Sequence, residues 1–131
     1  MNELTIELAA GQSRFEPGET IRGTARWRLD EVPDETLEVR LFWYTEGKGE
    51  LDVELVETVE LGSVSAAGSR DFSFSTPAAP LSFSGKLISL VWAIEVVALP
   101  DGDAGRQEIM ISHTGDEIRI GTPEVLDGGQ D

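Results

Sequence analysis

Hydrophobic residues recur at every second position along most of this chain. That period suits an extended strand with one buried face, and no stretch shows the 3.6-residue period of a helix. In residues 20–29, Ile21, Gly23, Ala25, Trp27 and Leu29 share one face, while Arg22, Thr24, Arg26 and Arg28 take the other. In 36–45, Leu37, Val39, Leu41 and Trp43 form the inward set, and Glu38, Arg40, Phe42 and Tyr44 face away. In 50–61, Leu51, Val53, Leu55, Val59 and Leu61 alternate with Asp52, Glu54, Thr58 and Glu60. Glu57 interrupts that inward set, which predicts a bulge or a rim position there. Residues 4–9 and 106–113 read as further strands, and 70–75 and 117–120 as shorter ones. Residues 87–99 are apolar on both faces, which places that strand centrally, covered on both sides for part of its length.

Turn signals separate these stretches: Glu16-Pro17-Gly18-Glu19, Thr45-Glu46-Gly47-Lys48-Gly49 and Pro100-Asp101-Gly102-Asp103. Pro17 presets φ at the second position of a turn, and Gly18 suits the positive φ that a type II turn needs at its third. Gly23, inside a strand, marks a bulge or a close approach of another segment. Short strands with regular turns predict an all-β sandwich or barrel, with a two-sheet sandwich of immunoglobulin-like type the expected form. One domain over 1–120 and a polar, Gly-rich tail over 121–131 account for the 131 residues. The connection 46–50 contains two glycines and predicts a hairpin between 36–45 and 50–61. Keeping apolar faces together requires paired residue numbers to sum to an even value. The register that opposes Tyr44 to Glu50 also sets Arg40 against Glu54, an attractive cross-strand pair.

A nine-residue stretch, Phe15-Glu16-Pro17-Gly18-Glu19-Thr20-Ile21-Arg22-Gly23, resembles the early turn-and-strand motif of arrestin-like N-terminal domains. A second block agrees in order and spacing: Phe72-Ser73-Phe74-Ser75-Thr76-Pro77, then Pro80-Leu81-Ser82-Phe83-Ser84-Gly85, then the long strand with Trp92. It is similar to the family's aromatic strand, proline-rich crossing and following central strand. The resemblance spans most of residues 1–120 and extends to bacterial sporulation-control proteins of this arrestin-like fold. Arrestins proper have a second sandwich domain and a charged cluster between the domains, so roles known for them do not carry over. The resemblance implies that the chain crosses to the other sheet between 20–29 and 36–45, and it implies recruitment rather than a reaction.

The chain has no cysteine, which excludes disulfides, thiol catalysis and cysteine-based zinc sites. Its net charge of −15, from 25 acids and 10 bases, opposes nucleic acid and anionic membranes as partners. No apolar run reaches the ~18 residues of a membrane helix. The N-terminus lacks a basic start and an apolar stretch, so a cytoplasmic location is expected.

The single histidine, His113, stands near a strand end without a G-x-S-x-G elbow, and reads as an ordinary rim residue. No phosphate-binding glycine motif is present. Asp101-Gly102-Asp103 reads as a tight turn, because a calcium loop needs a longer set of ligands. No catalytic, cofactor or metal site is therefore expected. Trp27, Trp43 and Trp92 fall on inward faces and read as core. The Arg22/Arg26/Arg28 stripe reads as a solvated face paired with acids on a neighbouring strand, with an anionic-ligand patch as the other reading.

Phe42 and Tyr44 share an outward face, and covered packing is the favoured reading because monomers rarely expose large apolar patches. If uncovered, they form the candidate partner-binding site, joined by Val56. The expected function is a non-catalytic protein-binding or scaffolding module acting through a sheet face or an edge strand. The partner is another protein, and self-association is compatible with this reading. The alternative is a small-ligand carrier or an enzyme with a pocket at the end of the sandwich.

Overall fold

Alternation becomes strand at nearly every place where the sequence shows it. The computed structural model describes residues 2–30, 36–47, 52–84, 88–99, 102–112 and 118–119. The strands are β1 (Glu3–Leu8), β2 (Arg14–Phe15), β3 (Thr20–Arg28), β4 (Thr36–Gly47), β5 (Val53–Ser63), β6 (Ala67–Ser75), β7 (Phe83–Ser84), β8 (Ile88–Leu99), β9 (Ala104–Ile111) and β10 (Ile118–Arg119). A short 3-10 turn, Ala9–Gly11, follows β1. The smaller sheet runs β1-β3-β6, and the larger runs β10-β7-β8-β4-β5 with β9 also on β8 and β2 in parallel on β9. The fold is thus the predicted all-β, two-sheet sandwich. His113 and the tail 121–131 lie outside the described residues.

The expected crossing between sheets is borne out. β3 bonds to β1 and β6, while β4 lies between β8 and β5. β8 is central and buried on both faces over much of its length, as its apolar composition required. The core lies between the sheets, where Ile21, Leu37, Val39, Leu41, Phe74, Trp92, Ile94, Val96 and Ile111 lose essentially all contact with solvent. Trp27 and Trp92 belong to it, and each indole N–H is satisfied: Trp27 donates to the Ser65 carbonyl at 3.0 Å and Trp92 to the Pro80 carbonyl at 2.9 Å. Trp43 is only half-buried, packed at the margin of this core.

The turn before β3 has the predicted form. Gly18 sits at φ +90° and the Glu19 N–H donates to the Glu16 carbonyl at 3.0 Å. The Glu19 carboxylate accepts in return from the Glu16 N–H at 2.9 Å and from Gln12 at 3.0 Å. The Glu16 N–H, followed by Gln12, holds that carboxyl below its usual range. Gly23 marks a close approach rather than a bulge: the β3 register runs past it without a shift, and a Cβ there would lie 2.6 Å from the Glu7 carbonyl oxygen. Gly105 is tighter still, because a Cβ there would fall on the backbone of Leu4. That contact seats β9 directly over the β1 edge.

The β4–β5 hairpin exists, but its register does not follow the sequence-based one. Tyr44 opposes Val53 rather than Glu50, and Arg40 opposes Thr58 rather than Glu54. The cause is two irregularities in β5. Leu41 pairs with Glu57 and Phe42 with Leu55, so Val56 is an extra residue; Leu37 pairs with Gly62 and Glu38 with Glu60, so Leu61 is another. The bulge expected at Glu57 is therefore one position earlier. Each extra residue reverses the parity of the strand. Val59 keeps its inward place opposite Val39, but Val53 and Leu55 come to oppose the outward Tyr44 and Phe42. Their predicted inward position is thereby overturned.

Trp92→Ala should cost roughly 3–5 kcal/mol through the cavity it leaves. Gly105→Ala should cost roughly 1–3 kcal/mol, because β9 must lift from Leu4. Urea denaturation of the two variants against the parent measures both.

Candidate docking surface

The outward residues of β4 form the middle of the larger sheet's outer face. Three rows cross it: Val53, Tyr44 and Val91; then Leu55, Phe42, Ala93 and Glu108; then Thr58, Arg40, Glu95 and Arg106. The first two rows are largely apolar and the third is charged. The Phe42 and Tyr44 rings stack with centroids 5.9 Å apart and planes 26° from parallel. Arg106 reaches across from β9 and sets its guanidinium 5.0 Å from the Phe42 centroid and 5.2 Å from that of Tyr44. Such contacts stabilise by about 0.5–1 kcal/mol where water still reaches them. Glu95 holds the guanidinium loosely, at 4.0 Å. The Tyr44 hydroxyl donates to Glu108 at 3.0 Å, and Arg40 pairs with Glu38 at 2.9 Å.

These contacts decide between the two readings of the aromatic pair. Phe42 is only 6% exposed, so it is covered, as favoured from the sequence. Tyr44 is half-buried. Loss of solvent, then the bond to Glu108 and the negative charges of Glu108 and Glu46, push the Tyr44 hydroxyl above its ordinary pKa. Val56, the third sequence candidate, is 39% exposed at the bulge. The structure adds two residues that the sequence did not single out, Val53 at 72% and Leu55 at 53% exposure. With Val56 they are the exposed large hydrophobics among the described residues, and all lie on β5, an edge strand. Their acidic neighbours are Asp52, Glu54, Glu57 and Glu60, and β5 contains no base.

The arginine stripe lies on the outer face of the smaller sheet, in keeping with a solvated face paired with acids on a neighbouring strand. Arg26 pairs with Glu7 on β1 at 2.9 Å, and Thr24 donates to Asp71 on β6 at 2.8 Å. A groove of about 750 Å³ runs beside it, lined by Glu7, Arg22, Thr24, Asp71 and Phe72. A second groove, about 440 Å³, lies between Arg14, Glu46, Ser82, Ser89 and Glu108. Among the described residues no cluster of His, Asp or Glu has the arrangement of a metal site, and no helix is long and apolar enough to cross a membrane.

This layout is a two-sheet β-sandwich, and its likeness to a solved structure of arrestin-like fold agrees with the two sequence blocks. The particular likeness is to Spo0M, a sporulation control protein from Bacillus subtilis, with a TM-score of 0.57 at 13% identity over 85% of this chain and 49% of that one. The chain therefore spans about half the length of Spo0M. Weaker likenesses are a superoxide reductase (neelaredoxin) from Ignicoccus hospitalis, TM-score 0.45 at 12% identity over 82% and 80% of the two chains, and a β-glucosidase from Listeria innocua, TM-score 0.44 at 14% identity over 85% and 16%. At those scores neither bears on the chemistry of this chain. No protein-family model and no curated protein sequence matches it.

Tyr44 is the only tyrosine, so phenolate absorbance reports it alone. Its titration midpoint should lie above the ordinary ~10, and Glu108→Gln should lower it. Because the folded state holds this proton more tightly than the unfolded one, stability should fall as pH rises past ~10.

Proposed function

We propose that this domain is a non-catalytic protein-binding module that docks its partner on the outer face of the larger sheet, at the β5 edge. Val53, Leu55 and Val56 form the contact surface, and Phe42 and Tyr44 flank it on β4. The observation that carries this reading is the exposure of three large apolar side chains side by side, 72%, 53% and 39%, on one strand. A folded protein gains nothing from leaving such a cluster in water unless something covers it. The supporting rings are held rigid by each other and by Arg106, so ordering them on binding costs little conformational entropy.

Charge selects the partner. Glu54, Glu57 and Glu60 punctuate the apolar residues of β5, and the whole chain carries −15. The partner that fits is a protein segment with apolar anchors interleaved with Lys or Arg. The negative field speeds its approach, and salt slows it. A recruiting role accords with the arrestin-like fold.

A peptide alternating Lys with Val and Leu tests this reading by amide NMR titration. Its perturbations should centre on β4 and β5 and weaken as salt rises. Leu55→Ser with Val56→Ser should abolish them with little change in melting temperature, whereas Phe42→Ser, in covered packing, should lower it. Equal binding of an acidic peptide, or perturbations confined to the smaller sheet, would overturn the assignment.

A further inference from the structure

The sandwich has three strand edges of interest, and they are built differently. The β1 edge is closed by β9, whose backbone at Gly105 lies on that of Leu4. The β5 edge is broken by extra residues at Val56 and Leu61 and carries Glu54, Glu57 and Glu60. Bulges and charges are devices that keep an edge from pairing with another chain. The β6 edge has no bulge and carries one charge of each sign, Arg70 and Asp71. Its register with β3 runs from Thr20↔Ser75 to Arg28↔Ala67 without a shift, over nine residues. Its outward side chains are Ala67, Ser69, Asp71, Ser73 and Ser75, small but for one.

Backbone bonds beyond the ends of β6 show which groups are free. The Leu29 N–H donates to the Ala66 carbonyl, and the Thr76 N–H to the Glu19 carbonyl. Bonded pairs alternate in an antiparallel ladder. The bonded pairs are therefore Ile21 with Phe74, Gly23 with Phe72, Ala25 with Arg70, and Trp27 with Gly68. The N–H and C=O groups of Ser69, Asp71, Ser73 and Ser75 point the other way. Among the described residues no strand pairs with that side of β6.

Electrostatics identifies what pairs there. The three strands of the smaller sheet hold Arg22, Arg26, Arg28 and Arg70 against Glu3, Glu7 and Asp71, a near-balance in a chain of net charge −15. This edge has no acidic surplus to select a basic strand. It matches a neutral strand of small side chains, and β6 is such a strand. Two copies about a twofold axis must pair odd-numbered residues with odd-numbered ones, because only those have free backbone groups. Centring the axis on Asp71 opposes two carboxylates, and centring it on Arg70 opposes two guanidiniums. Centring it on Phe72 overlaps residues 69–75, sets Asp71 against Ser73, and brings no like charges together.

We infer that the β6 edge is a self-association site, at which two copies of this chain pair antiparallel about Phe72 and join their smaller sheets into one of six strands. This surface is separate from the β5 face and stands without it. Its salt dependence has the opposite sign. Two chains of −15 repel each other over the Debye length, about 8 Å at 0.15 M, so screening favours the pair.

Sedimentation velocity on the full chain, over a concentration series at about 50 and 500 mM NaCl, tests the inference across and beyond that screening range. The dimer fraction should rise with concentration and with salt. Ser73→Glu should abolish the dimer, since it faces the second copy's Asp71, while within its own sheet it faces Arg22 and leaves the monomer stable. Ser73→Pro should also abolish it, by removing an outward N–H that makes no bond to β3. Circular dichroism of both variants confirms that the monomer is folded. A chain that stays monomeric throughout, or a dimer indifferent to both Ser73 variants, overturns the inference. Loss of the dimer in the Leu55→Ser/Val56→Ser variant alone would move self-association to the β5 face.

Discussion

Twelve consecutive residue pairs join β4 to β8 without a shift, from Thr36↔Leu99 to Gly47↔Ile88. Every other part of the larger sheet hangs on that ladder. Its inward side supplies Leu37, Val39, Leu41, Trp92, Ile94 and Val96, all with essentially no exposure, together with Trp43, which is half-buried. Its outward side supplies Phe42, Tyr44, Val91 and Ala93, over which Arg106 closes from the next strand. A ladder of that length and regularity fixes side-chain direction on both faces at once. The smaller sheet, bound through Phe72, Phe74, Trp27 and Ile21, is the lid on one of those faces. The other face is covered in part by Arg106 and opens to water toward β5, where Val53 and Leu55 are exposed.

Much of this was legible in the sequence, for a physical reason. Where one strand face is buried throughout, alternation reports orientation directly, as in β3 and β4. The double-sided apolar character of β8 likewise reported its central position. The turn at Pro17-Gly18 was legible because so few residues suit positive φ. The β4–β5 register was not, and the failure is instructive. The parity argument assumed that side-chain direction persists along a strand. Val56 and Leu61 break that assumption, and nothing in their composition marks them as extra residues. Val53 and Leu55, apolar in an alternating run, read as core for the same reason. The sequence did favour a covered Phe42, and it named Val56 only as joining that ring if the ring were uncovered. The cover could not be anticipated, since Arg106 lies 64 positions from Phe42 and acts through a pairing of β9 with β8 that no local pattern encodes.

Charge is distributed as unevenly as apolarity. A total of −15 would make any two copies repel, yet the smaller sheet is close to neutral while β5 is wholly acidic. The two sheets therefore present different electrostatic surfaces to the same solution, one near neutral and one acidic along its edge strand. The groove beside Arg22 is lined by Asp71 and Phe72 of β6 and so borders the smaller sheet's edge, while the one beside Arg14 lies on the larger sheet.

The extra residue at Val56 has a consequence for how such a surface arises and disappears. In a regular strand, turning a buried hydrophobic outward takes a substitution at each site, and the core loses volume each time. Here a single codon does it: one more residue in β5 rotates the whole segment before it by half a turn, so Val53 and Leu55 reach solvent without any change in their identity. The patch is thus a property of spacing rather than of vocabulary. Across descendants of this chain it can be gained or lost by insertion or deletion of one residue, while a residue-by-residue comparison would register almost nothing.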